Sequence, residues 1–295
     1  MLRDGLTGDW IGTFIGHKGA VWSARLSSDA GLAATGSADF SARVWDTYTG
    51  ETKAVLSHDH IVRAVAFPQQ GRGEVVATGG MEKKLRVWDL SRVVSENTEI
   101  TNGNGYTNGD SSAATPSYEI GAGEHTGAIK SIVWTPDPNI LATSSEDKTL
   151  RWYDLRTRSS IASYTLPTSA ASSFELNGDL LSVAAGKHII FFPCIPTSPT
   201  PQPIKHIETL KEVSCVALDP GKRRFVTGSS GDTWVHVWDF EQEREIEAGR
   251  GHHGPVWTVA WSPDGGVYGT GSEDGTVKLW KGGEGVAGAA YGLWR

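Results

Sequence analysis

One short pattern recurs along most of the chain and constrains its fold more than any other feature. The clearest copy reads ATGSAD at residues 34–39 and ARVWD at residues 42–46. Related copies occupy residues 77–89, 142–154, 226–239 and 269–280, and a weaker one surrounds Ser182. The threonine of this pattern is followed by its counterpart in a later copy 43 residues on in two cases, from Thr35 to Thr78 and from Thr227 to Thr270. Such regular spacing predicts an array of similar structural units.

Each repeat unit contains short segments in which apolar and polar residues alternate, such as residues 21–26 and 256–261. Alternation with a period of two predicts β-strands with one buried face. Four units open on a histidine that an aliphatic residue follows four positions later; these are His17, His58, His125 and His252. Two further units begin near Thr168 and Thr209, so the chain holds six full units. Each unit is predicted to form four strands, with a tight turn at an acidic residue between the second and the third.

Composition excludes several classes of function. The 295 residues carry 27 basic and 34 acidic side chains, which gives a formal net charge of −7 at pH 7. Phosphate-driven binding needs clustered Lys and Arg, so we expect no direct DNA binding and predict against direct RNA binding. The apolar runs are far shorter than a membrane span, which predicts no membrane insertion.

The two cysteines, Cys194 and Cys215, lack the spacing of a metal site. Their number allows one disulfide between them. A reducing compartment is favoured, so we expect the protein in the cytoplasm, with the nucleus as a second location.

Two stretches interrupt the repeats. Residues 94–116 are rich in Asn, Gly, Ser and Thr and are predicted to form a flexible loop between a third and a fourth strand. This insert is either a tethering or modification site or, as is favoured, a variable surface loop. Residues 193–203 contain five prolines. They predict an extended surface connection, and a stiff connector is favoured over a docking segment for a proline-binding domain.

The repeats resemble WD repeats, a family that folds into all-β propellers of four-stranded blades. The resemblance covers almost the whole chain. It implies a buried hydrogen-bonded set in each repeat, made of a turn carboxylate, the opening histidine, a second-strand hydroxyl and a third-strand indole. The residues at these positions are His17, Thr35, Asp39 and Trp45; His58, Thr78, Glu82 and Trp88; His125, Thr143, Asp147 and Tyr153; and His252, Thr270, Asp274 and Trp280. A buried Asp or His is stable only when it is hydrogen-bonded, so the sets are predicted to be structural.

Several repeats depart from the family pattern. Glu82 is longer than aspartate, and Tyr153 places a phenol where other repeats have an indole. The fifth unit has Asp232 and Trp238 but carries Thr209 where the histidine would fall. The fourth unit has Gly186 and Phe192 at the carboxylate and indole positions, so no polar set is expected there.

A histidine beside a carboxylate and a hydroxyl also resembles a Ser-His-Asp catalytic triad. The arrangement recurs in several repeats, however, whereas an active site is normally unique. The sequence also has no GxxxxGK[ST], GxSxG or HExxH motif and no paired CxxC spacing. We therefore expect no enzyme activity, no catalytic residues, no cofactor and no metal.

The WD-repeat resemblance places the residue before each turn carboxylate and the residue after each opening histidine on one rim. The predicted partner-binding rim consists of Lys18, Ala38, Asp59, Met81, Thr126, Glu146, Gly231, His253 and Glu273. This mixture of apolar and acidic groups suits other proteins better than a phosphate backbone. Trp22, Trp134, Trp257 and Trp261 lie in inner strands. Packing between blades is favoured over base stacking for them, because no basic groove accompanies them.

A narrower resemblance is carried by residues 2–22, by residues 38–46 and by the ending YGLW at residues 291–294. These stretches are similar to the serine/threonine kinase receptor-associated (unr-interacting) proteins. That family implies a non-enzymatic adaptor in the survival-of-motor-neuron complex, which assembles spliceosomal small nuclear ribonucleoproteins for mRNA splicing. In animals it also implies a role in transforming-growth-factor-β receptor signalling.

The alternative family is subunit i of eukaryotic translation initiation factor three. It shares the stretches at residues 19–22 and 35–39. The sequence GDWIGT at residues 8–13 and the YGLW ending favour the first family.

The number of blades is left open by the sequence. The resembled family is seven-bladed, whereas residues 3–8 align only with the end of a repeat at residues 45–50. Either the chain is an N-terminally truncated seven-bladed protein, which is favoured, or residues 10–14 supply the fourth strand of the unit at residues 256–280 and close six blades. The expected organisation is a remnant and closing strand at 1–15, a propeller at 16–285 and a C-terminal tail at 286–295.

Overall fold

The computed structural model describes residues 1–4, 8–71, 73–91, 115–221 and 223–282, together with the backbone of residues 290–294. In this part of the chain, 26 β-strands form six four-stranded antiparallel sheets and one two-stranded sheet. No helix within these ranges is long and apolar enough to cross a membrane.

The strands follow one another in chain order. The two-stranded sheet contains β1 (Leu2–Arg3) and β2 (Trp10–Gly12). Blade 1 contains β3 (Val21–Leu26), β4 (Leu32–Ser37), β5 (Ser41–Asp46) and β6 (Thr52–Ser57). Blade 2 contains β7 (Val62–Ala66), β8 (Val75–Gly80), β9 (Leu85–Asp89) and β10 (Ser117–Ile120). Blade 3 contains β11 (Ile129–Trp134), β12 (Ile140–Ser145), β13 (Thr149–Asp154) and β14 (Ser159–Thr165).

The last three blades repeat this order. Blade 4 contains β15 (Ser173–Asn177), β16 (Leu180–Ala185), β17 (His188–Pro193) and β18 (Lys205–Glu208). Blade 5 contains β19 (Val213–Leu218), β20 (Arg224–Ser229), β21 (Val235–Asp239) and β22 (Glu245–Gly249). Blade 6 contains β23 (Val256–Trp261), β24 (Val267–Ser272), β25 (Val277–Lys281) and β26 (Ala290–Trp294).

The blades stand around a common channel. The first strand of each blade contacts the first strand of the next, from β3 through β7, β11, β15 and β19 to β23. Residues of all six first strands line one cavity of about 390 Å³. This is the all-β propeller arrangement that the repeats predict.

In blades 2 and 5, the glycine that follows the pattern threonine is required by the packing of successive blades. A Cβ atom on Gly79 would lie 2.9 Å from the Ile129 side chain, and one on Gly228 would lie 2.7 Å from the Val256 carbonyl oxygen. In both cases the neighbour is the first strand of the next blade. The motif therefore permits the close approach of one second strand to the following blade.

The core consists of five buried apolar clusters, each between two successive blades. Among the described residues, no such cluster joins blade 6 to blade 1. Val21 and Leu26 of β3 and Trp257 of β23 are about half exposed. Within the described ranges no further blade covers the outer faces of blades 1 and 6. Phe14 stacks on Trp45 with ring centroids 5.5 Å apart, and Met1 and Leu2 line the same cavity beside blade 1.

The strand pairing at the two ends of the chain differs from the closing-strand alternative and from the predicted tail. Residues 10–14 do not complete blade 6, because Trp10–Gly12 pairs with β1. The fourth strand of blade 6 is Ala290–Trp294, which pairs antiparallel with β25. Residues 290–294 are therefore a strand and not part of a tail, since β26 satisfies the backbone groups on the outer side of β25.

The β1–β2 hairpin has the hydrogen bonds of a third-to-fourth-strand turn. The Asp4 N–H donates to the Asp9 carbonyl at 2.9 Å, as the Asp46 N–H donates to the Glu51 carbonyl at 2.9 Å in blade 1. The alignment of residues 3–8 with the end of a repeat agrees with this geometry. That seven blades belong to the whole protein stays a prediction.

The two interruptions fall between third and fourth strands. Most of the 94–116 insert lies outside the described residues, and it separates β9 from β10 as predicted. The proline-rich connection joins β17 to β18. Its Pro199 carbonyl accepts a hydrogen bond from the Ser163 N–H of blade 3 at 3.0 Å, so the connection is attached to the neighbouring blade.

Candidate functional site

Two kinds of loop meet at one end of every blade. Because the strands alternate in direction, the turn between the second and third strands lies at the same end as the loop that enters the first strand. We call this end the upper face and the opposite end the lower face. The upper face carries the turn carboxylates and the opening histidines.

Blade 1 contains a complete hydrogen-bonded set. His17 Nδ1 lies 2.8 Å from Asp39 Oδ2, and its Nε2 lies 2.7 Å from Thr35 Oγ1. The Trp45 indole N–H donates to the same threonine hydroxyl at 2.8 Å. A neutral imidazole satisfies every group: the indole donates to the hydroxyl, the hydroxyl donates to Nε2, and the Nδ1–H donates to the carboxylate. The set ties the entering loop to the second and third strands.

Blade 6 repeats this geometry. His252 Nδ1 lies 3.1 Å from Asp274 Oδ2, and its Nε2 lies 2.8 Å from Thr270 Oγ1. The Trp280 indole N–H donates to Thr270 Oγ1 at 2.7 Å. The same four positions are therefore brought together at both ends of the row of blades.

Blade 3 has a related set with a phenol in place of the indole. His125 Nδ1 lies 2.9 Å from Asp147 Oδ2, and its Nε2 lies 2.8 Å from Thr143 Oγ1. The Tyr153 ring packs edge-on against the imidazole, with centroids 6.1 Å apart. Burial raises the pKa of Tyr153, so the phenol stays neutral inside the blade.

Sequence reasoning missed a fifth member of these sets. The Ser41 hydroxyl donates to Asp39 at 2.7 Å, and the Thr276 hydroxyl donates to Asp274 at 2.6 Å. Thr149 does the same for the blade 3 carboxylate. The sequence signal that could have identified this member is a Ser or Thr two residues after the turn aspartate. Backbone N–H groups also donate to the carboxylates, from Lys18 at 2.9 Å, Thr126 at 3.0 Å and His253 at 2.8 Å.

These bonds fix the charge states of the sets. Burial raises the pKa of Asp39, but hydrogen bonds from Ser41, the Lys18 N–H and His17 outweigh it and hold the pKa well below its usual range. Asp147 and Asp274 are held low in the same way. Burial lowers the pKa of His125 and His252, against the opposing effect of their aspartates.

Blade 2 departs from this geometry at its longer carboxylate. The Trp88 indole still donates to Thr78 at 2.7 Å, and His58 Nδ1 lies 3.3 Å from Glu82 Oε1. His58 Nε2 is buried without a hydrogen-bond partner. The imidazole therefore does not reach Thr78, and Glu82 instead accepts a bond from Arg86 at 2.6 Å. Burial lowers the pKa of His58 to about 4.

Blade 5 replaces the missing histidine with one from another strand. Asp232 contacts His236 Nε2 at 3.2 Å and Lys211 Nζ at 2.7 Å, and the Trp238 indole donates to Thr227 at 2.9 Å. Thr209 donates to the Lys187 and Lys211 carbonyls instead. A cavity of about 150 Å³ lies at this place. In blade 4 the corresponding region is apolar, with Phe192 fully buried.

Comparisons with known proteins agree with this repeated geometry. The family described as WD domain, G-beta repeat, matches residues 8–46, 50–89, 119–154, 202–239 and 244–281. Serine-threonine kinase receptor-associated protein from mouse is 38% identical over 100% of this chain and 75% of its own length. The human protein of that name is 38% identical with the same coverage, and that of Dictyostelium discoideum is 36% identical over 96% of this chain and 87% of its own length.

The chain belongs to the serine-threonine kinase receptor-associated family of WD-repeat proteins. A more distant similarity links it to eukaryotic translation initiation factor 3 subunit I. The human subunit is 27% identical over 93% of this chain and 84% of its own length. The preference for the first family over the second is therefore confirmed.

In this WD-repeat chain the hydrogen-bonded sets fix the position of the rim. Four of the residues that precede a turn carboxylate donate their backbone N–H to the entering loop; they are Ala38, Met81, Glu146 and Glu273. Seven of the nine rim residues are exposed, namely Lys18, Asp59, Thr126, Glu146, Gly231, His253 and Glu273. Ala38 and Met81 are half-buried. The upper face is thus a firmly held surface of mixed polarity.

The sets have little capacity left for chemistry on a bound molecule. The hydroxyls that would act as nucleophiles belong to Thr35, Thr143 and Thr270, and all three residues are buried. Their hydroxyls are already bonded to histidine. Within the described residues, no group of three or more His, Cys, Asp or Glu side chains could hold a metal ion. This geometry supports the loops that surround it.

The structure corrects the interpretation of two tryptophans. Trp134 is buried and Trp261 is partly buried, as blade packing predicts. Trp22 and Trp257 are 55% and 52% exposed, and both line the central channel. The Arg63 guanidinium lies 5.1 Å from the Trp22 ring centroid. Sequence reasoning missed this basic neighbour because Arg63 comes from the next repeat.

Proposed function

We propose that this protein is a non-catalytic adaptor that holds protein partners on its upper face. The observation that carries the proposal is the 38% identity to serine-threonine kinase receptor-associated proteins along the whole chain. The rigid placement of the rim agrees with it, since a pre-organised surface loses little conformational entropy when a partner binds.

The partners proposed are components of a survival-of-motor-neuron-type complex that assembles small nuclear ribonucleoproteins, in the cytoplasm and the nucleus. In animals, receptor kinase signalling is proposed as a second setting. The names of the relatives support an association with kinase receptors. The proposed splicing role rests on the family resemblance of residues 2–22.

A second candidate is a role like that of subunit I of eukaryotic translation initiation factor 3. The 27% identity to the human subunit over 93% of this chain favours it. We rank this candidate second, because the identity to the receptor-associated proteins is larger.

Affinity purification of the tagged 295-residue chain, followed by mass spectrometry, tests the proposal. We expect survival-of-motor-neuron components among the specifically recovered proteins. Recovery of initiation-factor subunits in their place would support the second candidate. A preparation that is folded by circular dichroism but recovers no specific protein would contradict the adaptor function itself.

A further inference from the structure

The upper end of the central channel carries a group of side chains that the hydrogen-bonded sets do not use. In the first strands of blades 1, 2, 3 and 6, the pairing register shifts at the second residue. The residues at these shifts are Trp22, Arg63, Lys130 and Trp257, and all four line the channel. We call them the channel mouth.

The channel mouth has one cation without an acidic partner. Arg63 forms an ion pair with Glu146 of the rim. Lys130 has no ion pair among the described residues. Burial lowers its pKa, the Arg63 charge lowers it further, and Glu146 only partly opposes them. A cation in this environment is stabilised by any carboxylate that enters the mouth.

The rest of the channel does not supply that carboxylate. Glu175, the acidic residue that lines the channel, is bonded to Arg25 at 2.9 Å. The half-exposed indoles of Trp22 and Trp257 offer apolar surface in the same channel, and Trp22 lies beside Arg63. The mouth therefore combines uncompensated positive charge with aromatic surface, within a chain whose net charge is −7.

We propose that the channel mouth binds an acidic side chain of an extended segment of a partner protein, with its carboxylate between Lys130 and Arg63. This inference rests on the adaptor function proposed above and names the chemistry of the partner. The carboxylate forms charge-assisted hydrogen bonds with both cations, and apolar neighbours in the segment contact Trp22 and Trp257. A nucleic acid fits less well, because rim residues Asp59, Glu146 and Glu273 repel successive phosphates.

Fluorescence anisotropy with a labelled nine-residue peptide of alternating glutamate and alanine tests this proposal. The wild-type chain is expected to bind it, and the matched peptide with glutamine in place of glutamate is expected not to bind. Lys130→Met should weaken the affinity about tenfold, because it removes the unpaired cation. Glu146→Gln should strengthen it several-fold, because it frees Arg63 from a competing carboxylate.

Arg244→Met is the matched control, since it removes one positive charge from the β21–β22 turn on the lower face. It should leave the affinity unchanged. Circular dichroism checks that each variant is folded, and Glu146→Gln changes an exposed residue, so the test stands even if Lys130→Met fails to fold.

Three results would overturn the inference: no binding of the acidic peptide, equal loss in Arg244→Met, or Lys130-dependent binding of an oligouridine in its place. The adaptor function has a separate readout. If Lys130→Met recovers the same proteins as the wild type while the acidic peptide fails to bind, only the channel-mouth inference is lost. If the wild type recovers no partner at all, the adaptor proposal fails.

Discussion

At the scale of single residues, one methylene group decides whether a hydrogen-bonded set closes. Asp39 and Asp274 hold their histidines within reach of threonine, at 2.7 and 2.8 Å. Glu82 lies against His58, but the Nε2 atom of that histidine has no partner. The sequence showed that Glu82 was longer, and the structure shows which of the two histidine bonds is lost.

Removal of the shared hydroxyl in blade 6 should destabilise the protein. Thr270→Val leaves both His252 Nε2 and the Trp280 indole N–H buried without their partner. We expect the free energy of unfolding to fall by about 1–3 kcal/mol for each unsatisfied group. Urea denaturation measures it, and Thr126→Val, at an exposed loop residue, is the control. Equal stability of the two variants would mean that the set is not a structural support.

The buried histidine of blade 2, whose Nε2 atom lacks a partner, should make stability depend on pH. Burial lowers the pKa of His58 from 6.5 to about 4 in the folded protein. Between these values the unfolded chain binds more protons, so the contribution of His58 to stability is present above pH 6.5 and is lost as the pH falls towards 4. Denaturation at a series of pH values should show a shallower decline for His58→Gln. An unchanged decline would contradict the burial of a neutral imidazole.

At the scale of strands, small residues and paired edges set the limits of each blade. Glycine in the second strand lets the next blade pack closely against it, as at Gly79 and Gly228. The alternation of residues 256–261 predicted β23. The same reasoning missed β26, because a segment of five residues is too short to show a clear alternation. Only the partner strand β25 identifies Ala290–Trp294 as the last strand of blade 6.

Deletion of residues 290–295 should expose the edge of β25. Unpaired N–H and C=O groups along that edge favour intermolecular pairing, so we expect a lower thermal midpoint and aggregation at high concentration. Deletion of residues 1–12 is the matched comparison, because among the described strands β1 and β2 pair with each other and with no third strand. Differential scanning fluorimetry and light scattering compare the two. A milder effect from the first deletion would show that β26 contributes little.

At the scale of the whole molecule, the six blades form a row whose two outer faces are not covered by any other described blade. Val21 and Val62 open the first strands of successive blades at equivalent positions. Val21 is 51% exposed and Val62 is 1% exposed. The difference arises because a preceding blade covers Val62, whereas no described blade covers Val21.

These two valines give a direct test of that arrangement. Val62→Ala should lower the free energy of unfolding by about 1–2 kcal/mol, because it removes buried apolar surface. Val21→Ala should change it by less than about 0.5 kcal/mol, as is usual for exposed sites. Guanidinium denaturation of both variants measures the difference. Equal losses would mean that blade 1 is covered in solution on both faces.

The sequence by itself determined the repeat, the strand pattern, the WD-repeat family and the members of most hydrogen-bonded sets. Each of these depends on residues within one unit, where spacing alone brings His17, Thr35 and Asp39 together. The tertiary structure decided which strands and side chains meet outside the repeat pattern. It paired β26 with β25, replaced Thr209 by His236 beside Asp232, and brought Arg63, Lys130 and Trp22 to one channel mouth. Local periodicity does not predict these contacts. Asp232 and His236 are four residues apart but outside the repeat pattern, β26 begins nine residues after β25 ends, and the channel mouth joins residues of different blades.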